Sequence, residues 1–167
     1  MTPKLYHNNL FKDNRGYFME TYKKKSSNFN FVQDNLSYSK KGVIRGLHYQ
    51  YKYPQTKLLS VIKGKIFDVA VDIRKKSKNF GKVYKYILND NINNQLLIPR
   101  GFAHGFQCLS SDVIIYYKCD NFYAAKDQYG IVFNDNILNI DWPIKKNIII
   151  SKKDKKLPNF SEDINFF

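Results

Sequence analysis

Apolar residues in this chain return at every second position, in short runs broken by Gly, Pro, Asn, Asp and Ser. No long stretch carries the i, i+3, i+4, i+7 spacing of an amphipathic helix. That rhythm predicts a mainly β fold. Eight runs read as strands, at 30–38, 43–50, 57–62, 65–73, 82–88, 95–98, 104–109 and 113–118. Eight short strands at this spacing suit a sandwich, a jelly roll or a barrel. In KIFDVAVDI, over 65–73, Phe67, Val69, Val71 and Ile73 share one face, while Ile66, Asp68, Ala70 and Asp72 share the other. The carboxylate-bearing face either lines a polar cavity or meets solvent. A chain of 167 residues is long enough for one domain with a sizeable core and too short to favour two. Its tail, from about 139 to 167, reads as a loop-rich flap that packs over something, with turns at Asp141-Trp142-Pro143 and Ser151-Lys152-Lys153-Asp154.

A formal net charge of +14 raises the question of a nucleic-acid partner. The lysines, however, fall in scattered short pairs and triplets rather than along one helix or stripe, and no RNP, zinc-finger or helix-turn-helix pattern accompanies them. No nucleic-acid partner is expected, though an excess of positive field favours encounter with a small polyanion. The N-terminal stretch MTPKLYHNNLF has no apolar signal region, and nowhere do 18 apolar residues run together. The expectation is a soluble cytoplasmic protein with no membrane partner. Two cysteines without CxxC spacing, Cys108 and Cys119, fit a reducing compartment better than a disulfide framework.

Arginine is used sparingly. Of 28 basic residues only Arg15, Arg45, Arg74 and Arg100 are arginines; three precede a glycine, and two of those pairs run into a histidine, in IRGLHYQ (44–50) and IPRGFAHGF (98–106). The guanidinium fork recognises oxyanions in a bidentate way that lysine cannot imitate, and glycine beside it permits close backbone approach. The alternative is ordinary turns before strands, with His48 and His104 satisfied in a core. His48 has the side-chain type suited to proton abstraction near neutral pH. A hairpin return brings Lys57, in the next strand, close to it, where a cation stabilises an oxyanion formed beside a carbonyl. The hydroxyls of Tyr116, Tyr117 and Tyr123 are candidates to return a proton from the other face, although aromatics also fill β cores. A mononuclear metal site wants His-x-His plus further ligands, and the residue two after His48 is Gln50. No metal and no cofactor are expected.

Taken together and in order, D-x-R-G-x-F-x-E (13–20), FVQDN (31–35), RGLHYQ (45–50), KLL (57–59), FDVAVDIR (67–74), PRGFAHGF (99–106), YK (117–118), IDWP (140–143) and SKKD (151–154) resemble the dTDP-4-dehydrorhamnose 3,5-epimerase family over nearly the whole chain. The resemblance implies a cupin-type jelly-roll barrel with short C-terminal helices or loops, over 1–167 as one domain. It also implies a homodimer with an N-terminal arm (about 1–28) at the interface, metal-free and cofactor-free. The implied ligand is a nucleotide-diphosphate sugar of the dTDP type, a 4-keto-6-deoxyhexose epimerised at C3 and C5 in deoxysugar synthesis for lipopolysaccharide or capsule. By the same resemblance His48 is the base and Asp154 the carboxylate that orients it. Lys57 is the enolate clamp, Tyr117 the acid, Tyr123 a wall of the sugar pocket and His104 a second histidine near the keto oxygen. Asp68 supports the cavity. Arg15, Glu20, Gln33, Asn35 and Arg45 hold the diphosphate or sugar, and Phe18 stacks on the base. A C3-only epimerase, a 3,4-ketoisomerase and a non-catalytic sugar-binding cupin are the alternatives.

Overall fold

The computed structural model describes residues 1–26, 28–90, 93–161 and 167. All eight expected strands are present. They are β4 (Gln33–Lys40), β5 (Ile44–Gln50), β6 (Lys57–Lys63), β7 (Lys65–Asp72), β8 (Val83–Asn89), β9 (Asn94–Ile98), β10 (Phe102–Cys108) and β11 (Asp112–Cys119). Four shorter strands join them: β1 (Lys4–His7), β2 (Leu10–Asp13), β3 (Gly16–Met19) and β12 (Gln128–Gly130). The strands form two five-stranded antiparallel sheets, ordered β1-β9-β6-β11-β4 and β12-β5-β10-β7-β8, and β2 and β3 pair as a separate hairpin. The architecture is a cupin-type jelly roll.

Two apolar layers hold it together. One lies between the sheets and joins Leu59, Leu96 and Ile115 of the first sheet to Ile66, Leu88 and Phe106 of the second. The other covers the outer face of the second sheet, where Leu47, Phe67, Val69 and Val71 meet Leu138, Ile140, Trp142 and Phe160 from the C-terminal segment. Each such side chain withdrawn from water contributes about 1.5–3 kcal/mol. Polar brackets fix this segment in place. The Gln107 amide both donates to and accepts from Ile144, each at 2.9 Å, and the Trp142 indole N–H donates to the Phe133 carbonyl at 2.7 Å. The part of the expected flap at 162–166 lies outside the described residues.

This arrangement resolves the two readings of β7. Neither of its faces meets solvent: the apolar face is roofed by the C-terminal segment, and the face with Asp68 and Asp72, both 0% exposed, points into the barrel. The solvent-facing alternative is therefore wrong. Period-2 patterning identified the two faces but says nothing about what a distant segment lays over the outer one.

Candidate active site

The site begins with an irregularity in β5. Across the β5–β10 pair His48 stands opposite His104, and Arg45 stands opposite Phe106. Three steps on β5 thus match two on β10, which is a β-bulge. In a regular strand, residues three apart face opposite ways. The extra residue turns both Arg45 and His48 into the same cavity. Two glycines permit it. A Cβ on Gly105 would sit 2.6 Å from the Arg45 carbonyl oxygen, and one on Gly46 would sit 2.5 Å from the Gly105 Cα. The glycines of IRGLHYQ and PRGFAHGF are needed by each other.

The cavity holds about 710 Å³ between the sheets, and its walls include Gln33, Asn35, Arg45, His48, Lys57, His104, Tyr117, Tyr123 and Asp154. His48 Nε2 lies 2.8 Å from Asp154 Oδ1. Burial raises the Asp154 carboxyl, but hydrogen bonds from His48, the Gly46 amide and Ser151, with the charge of His48, hold it below the usual carboxylate range. An ionised carboxylate only accepts, so Nε2 is the donor in this pair and Nδ1 is the nitrogen free to take up a proton. A second histidine–carboxylate pair faces the first: His104 Nε2 is 2.8 Å from Asp68 Oδ2. Asp68 itself is fully buried beneath the cavity wall.

The opposite sheet supplies the other groups. Lys57 opens β6, directly across from Cys119 of β11. Burial pushes its ammonium below the ordinary lysine value, against the opposing pull of Cys119 and Asp68. Among the described residues the Lys57 ammonium has no side-chain hydrogen bond and no ion-pair partner. Tyr117 shares the inward face of β11 with Cys119, and burial raises its phenol above the usual value, with Cys119 and Tyr123 adding and Arg45 opposing. His48 and His104 therefore face Lys57 and Tyr117 across the cavity, from different sheets.

A hydrogen-bonded rim surrounds them. Gln33 donates to Asn35 at 2.8 Å and accepts from the Tyr123 amide at 2.8 Å. The Tyr123 hydroxyl and the Lys153 ammonium both donate to the Gln128 side chain, at 3.0 and 2.6 Å. Arg45 is anchored through Nε to the Ser39 hydroxyl at 3.0 Å.

Three expected binding residues are not in this cavity. Arg15 pairs with Asp13 at 2.5 Å, Glu20 pairs with Lys23, and Phe18 is 65% exposed, all in or beside the β2–β3 hairpin. Tyr116 faces away, with the Lys118 ammonium over its ring. Arg100 and Arg74 are engaged by Asp120 and Asp72 and brace turns. Sequence reasoning missed Gln55, Cys119, Gln128, Ser151 and Lys153, which also line the cavity. Two of them carried a usable signal: Cys119 is two residues from Tyr117 on one strand, and Lys153 adjoins Asp154. Among the described residues no cluster of three His, Cys, Asp or Glu side chains has metal-binding geometry, and no helix is long and apolar enough to cross a membrane.

A family model described as dTDP-4-dehydrorhamnose 3,5-epimerase matches residues 3–162. A Shigella flexneri protein named dTDP-4-dehydrorhamnose 3,5-epimerase is 47% identical over 152 residues, covering 87% of this chain and 83% of the relative. Among solved structures, the dTDP-4-dehydrorhamnose 3,5-epimerase of Bacillus anthracis with TDP and PPi bound superposes with a TM-score of 0.91 at 45% identity, over 95% of this chain and 94% of that one. The dTDP-6-deoxy-D-glucose-3,5-epimerase of Legionella pneumophila in complex with dTDP-4-keto-L-rhamnose gives 0.89 at 39% identity, over the same shares of the two chains.

Proposed function

Since the chain belongs to the dTDP-4-dehydrorhamnose 3,5-epimerase family, we propose that it inverts C3 and C5 of dTDP-4-dehydro-6-deoxyglucose on the route to dTDP-rhamnose. The 4-keto group acidifies the C–H bonds on both sides. His48 Nδ1 removes one of these protons, and the electron pair moves through the new C=C bond onto the C4 oxygen. Lys57 and His104 stabilise that enolate oxygen as charge develops. The Tyr117 hydroxyl then delivers a proton to the opposite face of the same carbon, and solvent exchange resets the protonated His48 and the ionised Tyr117. Repeating the cycle at the second carbon completes the double inversion. Only protons move, so the chemistry needs no redox partner.

The observation that carries this reading is the His48–Asp154 pair facing Tyr117 from the other sheet, with Lys57 beside Tyr117's strand. Gln33, Asn35 and Arg45 suit the sugar and diphosphate, and Tyr123 the sugar pocket. Asp68 positions His104. Arg15, Phe18 and Glu20 lie on an exposed hairpin, and in this reading they enter the site of a second copy in a homodimer, with Phe18 stacking on the base. Two free, buried thiols suit a cytoplasmic enzyme.

Turnover of the substrate in heavy water tests the reaction. Deuterium at C3 and C5 is expected, with exchange at both abolished in His48→Ala. Label at C3 alone makes the protein a 3-epimerase, label at neither removes the assignment, and exchange surviving in His48→Ala removes His48 as the base.

A further inference from the structure

One wall of the cavity mouth is built from two segments far apart in sequence. Ile44 N–H donates to the Ile149 carbonyl at 2.9 Å, Ile149 N–H donates to the Gly42 carbonyl at 3.0 Å, and Val43 bridges Ile149 in parallel. Val43, Ile44, Ile149 and Ile150 all line the cavity. Exposed lysines stand close in sequence to this seam on both segments. Lys41 precedes the seam on one segment. Lys146 precedes it on the other, and Lys152, Lys155 and Lys156 follow it. All five are exposed, and none forms an ion pair among the described residues. The two acidic residues between 141 and 156 are both paired, Asp154 with His48 and Asp141 with Lys145. Lys153 and Arg45, neighbours in sequence of these lysines and of the seam, line the cavity itself.

We infer that the exposed lysines flanking this seam form a capture surface that draws the diphosphate of a nucleotide sugar to the cavity mouth before it seats. The inference rests on the proposed nucleotide-diphosphate ligand. A cleft edged by one sign of charge raises association rates by about 10–1,000-fold, and salt suppresses the effect because the Debye length is about 8 Å at physiological ionic strength. Exposed lysines outside the contact zone change the on-rate and its salt dependence and leave dissociation alone.

The test is stopped-flow binding of a fluorescent 3′-anthraniloyl ester of dTDP. For the unmodified protein, the association rate constant is expected to fall about tenfold between ~20 mM and ~300 mM salt. The variant Lys41→Gln, Lys146→Gln, Lys152→Gln, Lys155→Gln should associate about 3–10-fold more slowly at low salt and converge with the parent at high salt, with dissociation unchanged. Arginine at the same four positions should restore the parent's behaviour. Equal association rates, or a change confined to dissociation, would overturn the capture role. Because the probe is not turned over, dTDP binding without deuterium exchange sinks the proposed reaction and leaves this inference standing.

Discussion

At the residue scale the site separates what sequence order conceals. His48, Lys57 and Tyr117 sit in recognisable strings, and the alternation of β11 puts Tyr117 inward and Tyr116 outward. No spacing rule pairs His48 with Asp154, and only family resemblance brought that carboxylate forward. Lys57 carries the sharpest prediction. Burial lowers its pKa relative to the unfolded chain, so the unfolded state binds the proton more tightly. The penalty is then present in full below the folded pKa, and it fades as pH rises from that value toward the unfolded value near ~10.4. Lys57→Met should therefore raise Tm at neutral pH, by about 2–4 °C for each ~1 kcal/mol relieved, while reducing kcat by about 100-fold or more through loss of the proposed enolate clamp. Paired thermal melts and turnover assays read the two effects separately; a fall in both would remove the claim that the buried ammonium is held at a cost to stability.

At the scale of elements, alternation foretold eight strands because each buries at least one face, which is what period-2 patterning reports. It missed β1, β2, β3 and β12, strands of three or four residues whose short runs carry too few alternations to register. It also misleads inside β5, where strict alternation would send Arg45 and His48 to opposite faces. The bulge depends on the Gly46–Gly105 approach, so Gly105→Ala should be costly. Its methyl would press on the Arg45 carbonyl at 2.6 Å and on Leu47 Cδ2 at 2.9 Å. A loss of about 1–3 kcal/mol in denaturant unfolding is expected, together with a drop in kcat/KM as Arg45 and His48 are displaced. Gly16→Ala, where nothing lies within 4 Å of the added carbon but φ is +139°, separates backbone strain from crowding: it should spare the reaction geometry of the cavity.

For the whole molecule, strand rhythm narrowed the fold to a sandwich, a jelly roll or a barrel, and family resemblance chose the jelly roll; neither foretold the roof over the second sheet, which depends on long-range burial by Leu138, Ile140, Trp142 and Phe160. The exposed hairpin belongs to this scale too. Phe11, Tyr17 and Phe18 are 58%, 67% and 65% exposed, an apolar display that suits a second copy. Mixing inactive Arg15→Ala and His48→Ala proteins should regenerate activity up to about a quarter of the parent level, because a mixed dimer in which arms cross holds one intact site. Activity staying at zero in a verified mixture would mean that each arm serves its own barrel. The C-terminal roof has one more consequence, for biosynthesis of the chain. The hydrogen bond between His48 and Asp154 spans 106 residues, whereas the strands around it close over shorter distances. Such a contact forms late, and at about 5–20 residues per second during synthesis the orienting carboxylate emerges several seconds after the histidine. A nascent or prematurely terminated chain therefore carries the histidine without its aspartate, and, on the proposed roles of the pair, proton-transfer competence becomes a certificate that translation has passed Asp154.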